Sequence, residues 1–323
     1  MSIMIKRCLL ALALAAASAD FVRALGTGRA APSAADQYQA WRAAAAQVLV
    51  DRGDAASLAT AAALSFFGHK AAAVDLAVKA TELSPEDPSM GWLRLQLCVN
   101  TPGCDFRDAA TSMRWVDADN SAAWMPTLAA AQKDKDSTEV DRILQDMAQG
   151  IRFDFYWNRS VVLLFDALKK AASGLPAKYL PSDLSRLSEA MLIAGAEIIP
   201  PLTPLLAACR DPAASERREN CLKLAKTMQR GDAIAAQLAG FTMEKRLSAP
   251  ESKEARAAAE RRRVLEWRVS TASQFDVPVL PWLKNARARG RIAQMRAMPR
   301  EEDVDIAILR AHKMPIEPPE GHP

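Results

Sequence analysis

Apolar residues recur every three to four positions along most of the chain, which is the spacing of an amphipathic α-helix. Clear apolar stripes occupy residues 73–83, 140–147 and 161–168. No segment alternates apolar and polar residues with the two-residue period of a strand, and no hairpin turn separates β-branched runs. The pattern therefore predicts an all-α protein.

The predicted helices follow one another in pairs. Turn signals at residues 84–88 and 117–121 are 33 residues apart, and each precedes a tryptophan, Trp92 or Trp124. A period near 34 residues is typical of helix–turn–helix solenoids, in which every pair packs on its neighbours. We therefore expect a helix-pair solenoid over residues 54–175. Further helical hairpins are expected over residues 176–313, beyond a boundary rich in glycine and proline.

The unit at residues 54–87 resembles the tetratricopeptide repeat. Ala61 and Leu64 match small and apolar positions of that family's first helix, whereas Ala73 and Ala80 match its second helix. Pro85 matches the terminal proline. The positions that depart from the family pattern are Ser57, Thr60 and Ala77. The resemblance implies an extended concave surface that binds a protein or peptide and carries no chemistry. Residues 221–267 are also similar to the C-terminal part of uncharacterised exported bacterial proteins.

Residues 1–24 predict a signal peptide. Lys6 and Arg7 precede a short apolar run at residues 8–16, and small residues before Asp20 suit cleavage after Ala19. Cleavage after Ala24 is the alternative. The run is shorter than the roughly 20 residues that a membrane-spanning helix needs. The pattern indicates export, and we expect the mature protein in the periplasm.

No sequence feature predicts a membrane anchor. Cys8 directly follows two basic residues, so lipid attachment to its thiol is not expected. The longest later apolar segment, residues 191–208, contains Glu197 and three prolines, which do not suit a membrane span. We expect a soluble protein. Its mobile N-terminus at residues 25–53 leads into the first helix, and its tail at residues 314–323 is disordered.

Loss of the signal peptide changes the charge and the cysteine count. The full chain has 42 basic and 38 acidic residues, and removing Lys6 and Arg7 lowers its net charge from +4 to about +2. The cysteines that remain are Cys98, Cys104, Cys209 and Cys221. An even number in an oxidising compartment favours disulfides. Three pairings are formally open, and proximity along the chain favours 98 with 104 and 209 with 221. The spacing does not match a zinc site.

No motif indicates catalysis, a cofactor or a metal. The chain has no phosphate-binding, dinucleotide-binding, zinc-protease or haem-attachment motif. Of its three histidines, only His69 lies inside the predicted fold, in a turn. Acidic residues fall at predicted helix starts, where helix capping explains them. A pair of carboxylates acting on an envelope polymer is the enzymatic alternative.

Two features are candidate surfaces for a partner. The densest aromatic cluster comprises Phe153, Phe155, Tyr156 and Trp157. These rings suit either a peptide groove or the packing between helix pairs. An Arg-rich stretch includes Arg287, Arg289 and Arg291. These arginines suit an acidic protein or an anionic envelope surface, or else a solvated helix face balanced by the acids at residues 301–305.

The sequence favours a non-catalytic helical scaffold that binds a protein or peptide partner in the bacterial envelope. A carboxylate-dependent hydrolase or lyase is the first alternative, and a periplasmic inhibitor or immunity protein is the second. Export and a nearly neutral mature chain argue against a nucleic-acid partner.

Overall fold

A computed structural model describes residues 33–175, 182–210, 215–275 and 284–320. In these ranges the chain forms fifteen α-helices and no β-strand, which confirms the predicted all-α class. The predicted signal peptide lies outside the described residues. No helix within them has the length and apolarity needed to cross a membrane.

The helices are numbered here in chain order. They are α1 (Ala34–Arg52), α2 (Ala55–Ser65), α3 (Lys70–Leu83), α4 (Pro88–Val99), α5 (Phe106–Val116), α6 (Met125–Lys133), α7 (Ser137–Met147), α8 (Trp157–Ala171), α9 (Asp183–Glu197), α10 (Thr203–Ala208), α11 (Ser215–Met228), α12 (Ile234–Leu247), α13 (Lys253–Ala272), α14 (Lys284–Ala297) and α15 (Glu301–Ala311). The chain consists of two compact units, residues 1–39 and residues 40–323. The first unit contributes the start of α1, where the Ser33 hydroxyl donates to Asp36 at 2.7 Å.

Aspartate side chains cap the N-terminal ends of several helices. Asp54 accepts a hydrogen bond from the backbone N–H of Ser57 at 3.0 Å at the start of α2. Asp136 accepts one from the N–H of Glu139, also at 3.0 Å, at the start of α7. Such caps satisfy donors that the first helical turn leaves without a partner, and each stabilises its helix by about 1 kcal/mol. Capping therefore accounts for these acidic residues.

The first helix pairs recur at the predicted period. They begin at Ala55, Pro88 and Ser121, where a short 3-10 turn precedes α6. Within each pair the two helices pack on one another, and α3 with α4 and α5 with α6 join neighbouring pairs. Ala61 and Ala73 are fully buried, because small residues let α2 and α3 approach closely. The resemblance to the tetratricopeptide family stays a prediction.

Later helices cover the first helix of each pair. α8 packs on α2, α9 packs on α2 and α4, and α10 packs on α6. Trp92 of α4 is fully buried in this layer, and its indole Nε1 donates to the carbonyl oxygen of Ile198 at 2.9 Å. The first helices of the pairs are therefore covered by the chain's own later helices.

The remaining helices form a second packed region. α11, α12 and α13 pack in succession, and α15 packs on α13. Ile234, Phe241 and Leu265 form the apolar centre of this region. Gly240 allows α12 to approach α11, because a Cβ at this position would lie 2.7 Å from the carbonyl oxygen of Ala225. In turn, α14 packs on α8 and α9 and links this region to the first one.

The two ends of the described chain differ in how they compare with the sequence-based expectation. The sequence predicts that the N-terminal segment at residues 25–53 leads into the first helix, and that helix, α1, begins at Ala34. At the other end, Trp267 Nε1 donates to the Pro315 carbonyl at 3.2 Å, and Arg268 Nε donates to the Ile316 carbonyl at 2.9 Å. These two donors of α13 hold backbone within the tail that the sequence predicts to be disordered, residues 314–323. Residues 321–323 of that predicted tail lie outside the described residues.

The four cysteines form the two pairs that proximity along the chain favours. Cys98 and Cys104 have Cα atoms 5.3 Å apart and close the turn between α4 and α5. Cys209 and Cys221 have Cα atoms 5.7 Å apart and tie the end of α10 to α11. Both separations suit a disulfide.

Removing either disulfide is expected to destabilise the protein, more strongly for the longer loop. In the chain-entropy model, replacing Cys209 and Cys221 together with alanine costs about 3 kcal/mol, and the same change at Cys98 and Cys104 costs about 2 kcal/mol. Urea denaturation of both double variants measures these losses, with reduced wild-type protein as the control. Equal stability of the oxidised and reduced wild type would contradict the prediction.

Candidate binding surface

The aromatic cluster predicted as a candidate groove is buried. Phe153 and Phe155 are fully buried, and Tyr156 and Trp157 are more than nine-tenths buried. The Phe155 ring stacks on Trp92 with centroids 5.6 Å apart. Of the two interpretations of these four rings, packing between helix pairs accounts for them, and they do not line an open groove.

A buried polar cluster holds the segment that carries these rings. Asp117 accepts a hydrogen bond from the Tyr156 hydroxyl and pairs with Arg152. The side-chain amide of Asn120 donates to the Tyr156 hydroxyl at 3.0 Å and to the Asp154 carbonyl at 2.9 Å. Tyr156 has a φ of 56°, an uncommon conformation for a non-glycine residue that needs surrounding contacts to hold it. The cluster fixes the segment after α7 against the turn after α5.

Asp232, between α11 and α12, holds the same segment from the other side. Its buried carboxylate accepts hydrogen bonds from the backbone N–H groups of Phe155 and Trp157, both at 2.7 Å. Burial, together with the nearby charge of Asp154, raises the pKa of Asp232 from 3.8 to about 7. Burial also raises the pKa of Asp154. Both carboxyl groups are shifted towards the neutral form, and they serve as hydrogen-bond acceptors inside the fold.

The arrangement of these carboxylates does not favour the enzymatic alternative. Asp117 and Asp232 are buried and already accept internal hydrogen bonds, so neither faces an open cleft. A small apolar cavity between α2, α4 and α8 has no acidic residue in its lining. His69 is exposed before α3, and the His312 ring stacks on Phe275. Among the described residues, no group of three or more histidine, cysteine or acidic side chains is placed to hold a metal ion.

The Arg-rich stretch is partly neutralised within the fold. Arg289 pairs with Asp183 of α9 at 2.9 Å, and Arg291 lies 4.0 Å from Asp305 of α15. Arg287 donates to the carbonyl oxygen of Phe275 at 3.3 Å. These contacts fasten α14 to its neighbours, as in the alternative interpretation of a face balanced by acidic residues.

Exposed apolar side chains form a different feature, which we call the apolar edge. It comprises Leu83, Trp115, Val116 and Ile151. Leu83 ends α3, Val116 ends α5, and Ile151 lies four residues after the end of α7, so all four residues lie at or just after the C-terminal ends of the second helices. Trp115 is 85% exposed, Ile151 is 64% exposed and Leu83 is 58% exposed. One exposed apolar residue is ordinary, but a row that recurs in three consecutive pairs is not.

Backbone contacts place the second and third of these ends beside one another, and side-chain packing connects the second to the helix that follows the first. The N–H of Ile151 donates to the carbonyl oxygen of Asp119 at 3.1 Å, which joins the third end of the row to the second. Gly150 permits this approach, because a Cβ there would lie 2.9 Å from the same oxygen. The Met113 sulfur lies 3.1 Å from the position of a Cβ on Gly91, so the last turns of α5 lie against the start of α4. That start follows Leu83 by one short turn.

The surroundings of the apolar edge are acidic. Segments 82–87, 114–120 and 149–159 together carry six acidic and three basic residues. Arg152 pairs with Asp117, Arg159 pairs with Asp87, and the Arg114 guanidinium lies 4.1 Å from the centroid of the Trp124 ring. The exposed acids without an ion pair among the described residues are Glu82, Glu86 and Asp119. The carboxyl ends of α3, α5 and α7 add partial negative charge from the helix dipole. The edge is therefore both apolar and negative.

Sequence reasoning missed the apolar edge, although a signal for it exists. A large apolar residue lies close to the predicted end of the second helix in each of the three pairs, at positions 83, 115 and 151. An alignment of the three helix pairs with one another would have shown these apolar residues at corresponding positions.

Comparison with protein-family models, curated proteins and solved structures gave no match.

Proposed function

We propose that this chain is a non-catalytic helical scaffold of the bacterial envelope and that it binds a protein partner along the apolar edge. The observation that carries the proposal is the repeated exposure of large apolar side chains at the ends of α3, α5 and α7. Contiguous exposed apolar residues with a polar rim are typical of protein interaction sites. Trp115, at the middle of the row, is the residue type most enriched among residues that dominate binding energy.

The packing of the other surfaces supports this location. The first helices of the pairs are covered by α8, α9 and α10, and the predicted aromatic groove is buried. The predicted signal peptide and the two disulfide pairs support the envelope as the compartment.

Replacing Trp115 with alanine is expected to weaken capture of the partner from envelope extracts at least tenfold, because a buried interface tryptophan typically contributes 2 kcal/mol or more. The measurement is the amount of stoichiometric partner retained by immobilised protein, quantified by mass spectrometry. Leu192→Ala is the matched control, because Leu192 is 55% exposed on α9 and lies outside the row.

Fold stability separates a binding defect from unfolding. Trp115 is so exposed that its replacement should change the free energy of unfolding by less than about 0.5 kcal/mol. Undiminished capture by the Trp115→Ala protein would refute binding along this edge.

A further inference from the structure

The geometry points to a basic, amphipathic protein segment as the ligand of the apolar edge, an inference that rests on the proposed function. The segment would place apolar side chains on Leu83, Trp115 and Ile151 and its lysines or arginines beside the surrounding acids. Amphipathic helices commonly bind apolar surfaces in this way, with anchors at i, i+3, i+4 and i+7.

The side-chain charges at the edge that are not in ion pairs decide whether a basic or an acidic partner fits. Glu82, Glu86 and Asp119 are exposed and have no ion pair among the described residues. Of the arginines near the edge, Arg152 pairs with Asp117 and Arg159 pairs with Asp87, while the Arg114 guanidinium lies 4.1 Å from the centroid of the Trp124 ring. An acidic partner would therefore meet the like charges of Glu82, Glu86 and Asp119, whereas a basic one meets three exposed carboxylates. Complementary charge of this kind speeds association and excludes partners of the wrong sign.

Three helix ends strengthen the same preference. The residues of the edge lie at or just after the carboxyl ends of α3, α5 and α7, and lysine or arginine side chains interact favourably with such ends. The same field repels anionic lipid headgroups. The anionic envelope surface considered for the Arg-rich stretch is thus a poor ligand for the apolar edge.

Trp115 supplies the apolar part of the recognition. It is the largest and most exposed member of the row; Val116 follows it directly, and Ile151 is bonded through its N–H to the carbonyl oxygen of Asp119, four residues after Trp115. A central aromatic anchor with smaller apolar residues around it is the usual organisation of a binding hot spot. Charge provides orientation, while this anchor provides most of the affinity.

Synthetic peptides test the inference on the full mature protein. The probe is a fluorescently labelled leucine–lysine peptide with helical periodicity, measured by fluorescence anisotropy. A peptide of the same composition with scrambled periodicity and a leucine–glutamate peptide are the controls. We expect the leucine–lysine peptide to bind at least tenfold more tightly than either control, with an affinity that falls as salt rises.

Variants of the protein separate the apolar contribution of Trp115 from the contribution of the three acidic residues. Trp115→Ala should weaken binding of the leucine–lysine peptide at least tenfold, and Leu192→Ala should leave it unchanged. The combined variant Glu82→Gln, Glu86→Gln and Asp119→Asn should weaken binding about tenfold and flatten its salt dependence. Urea denaturation confirms that each variant remains folded.

Several results would overturn the inference. The first is tighter binding of the leucine–glutamate peptide than of the leucine–lysine peptide. The second is cosedimentation of the protein with anionic phosphatidylglycerol vesicles, if Trp115→Ala abolishes it. The third is self-association of the protein, if the same substitution abolishes it. If envelope partner capture depends on Trp115 but not on the three acids, and the leucine–lysine peptide does not bind, only the basic-segment inference fails. If Trp115→Ala changes neither capture nor peptide binding, the proposed function fails as well.

Discussion

Replacing Trp92 with alanine is expected to lower the free energy of unfolding by about 3–5 kcal/mol, as is typical of a fully buried tryptophan. The side chain stacks on Phe155 with centroids 5.6 Å apart, and its indole N–H donates to the Ile198 carbonyl at 2.9 Å. The substitution removes the ring and leaves a buried carbonyl without its donor. Because Trp92 joins α4, the segment before α8 and the end of α9, the loss is felt in all three elements.

Two further variants separate the ring from its hydrogen bond. Trp92→Phe keeps an aromatic ring but loses the N–H, and we expect a loss of about 1–3 kcal/mol for the unsatisfied carbonyl and the smaller ring. Trp115→Ala removes the same side chain from the surface and should cost less than about 0.5 kcal/mol. Urea denaturation measures all three. Similar losses for Trp92→Ala and Trp115→Ala would show that Trp92 is not the centre of this packing.

Local sequence patterns predict the helices and their pairing. The apolar stripe at residues 140–147 is buried on α7, and the aspartates expected to cap helices include Asp87, which accepts from the N–H of Ser89 at 2.9 Å. Turn signals also predict the 33-residue spacing of the first helix pairs. These features are predictable because capping and helical periodicity depend on residues within a few positions of each other.

Contacts between distant parts of the chain could not be predicted in this way. The bond from Trp92 to Ile198 spans 106 residues, and it is part of the layer that covers the first helices. The sequence shows that Phe155 and Trp157 are aromatic, but not that Asp232, 75 residues or more away, holds their backbone N–H groups. The four aromatic rings are part of the core, as in the packing interpretation, and the candidate site consists of exposed residues at helix ends instead.

Replacing Asp232 with alanine is expected to lower the free energy of unfolding by roughly 2–6 kcal/mol. The carboxylate accepts hydrogen bonds from the N–H groups of Phe155 and Trp157 at 2.7 Å, and each buried donor left without a partner costs about 1–3 kcal/mol. Asp232→Asn keeps one acceptor oxygen and should cost less. Asp75→Ala is the matched control, because Asp75 is exposed on α3.

The loss should also depend on pH. Burial and the charge of Asp154 raise the pKa of Asp232 from 3.8 to about 7, so the folded protein binds a proton more tightly than the unfolded chain does. This contribution to stability is complete below about pH 4 and is lost as the pH rises through about 7. The difference between wild type and Asp232→Asn should therefore be larger at pH 5 than at pH 8. An equal difference at both values would contradict the raised pKa.

The same substitution links the fold to the proposed binding surface. Asp232 holds the backbone at Phe155 and Trp157, and the segment that contains them begins at Ile151 of the apolar edge. If that segment loosens, Ile151 is no longer held beside the turn at Asp119. Asp232→Ala protein that is still folded at 15 °C should bind the leucine–lysine peptide more weakly than wild type, while Asp75→Ala protein binds it normally. Unchanged peptide affinity in the destabilised variant would mean that the edge keeps its geometry without Asp232.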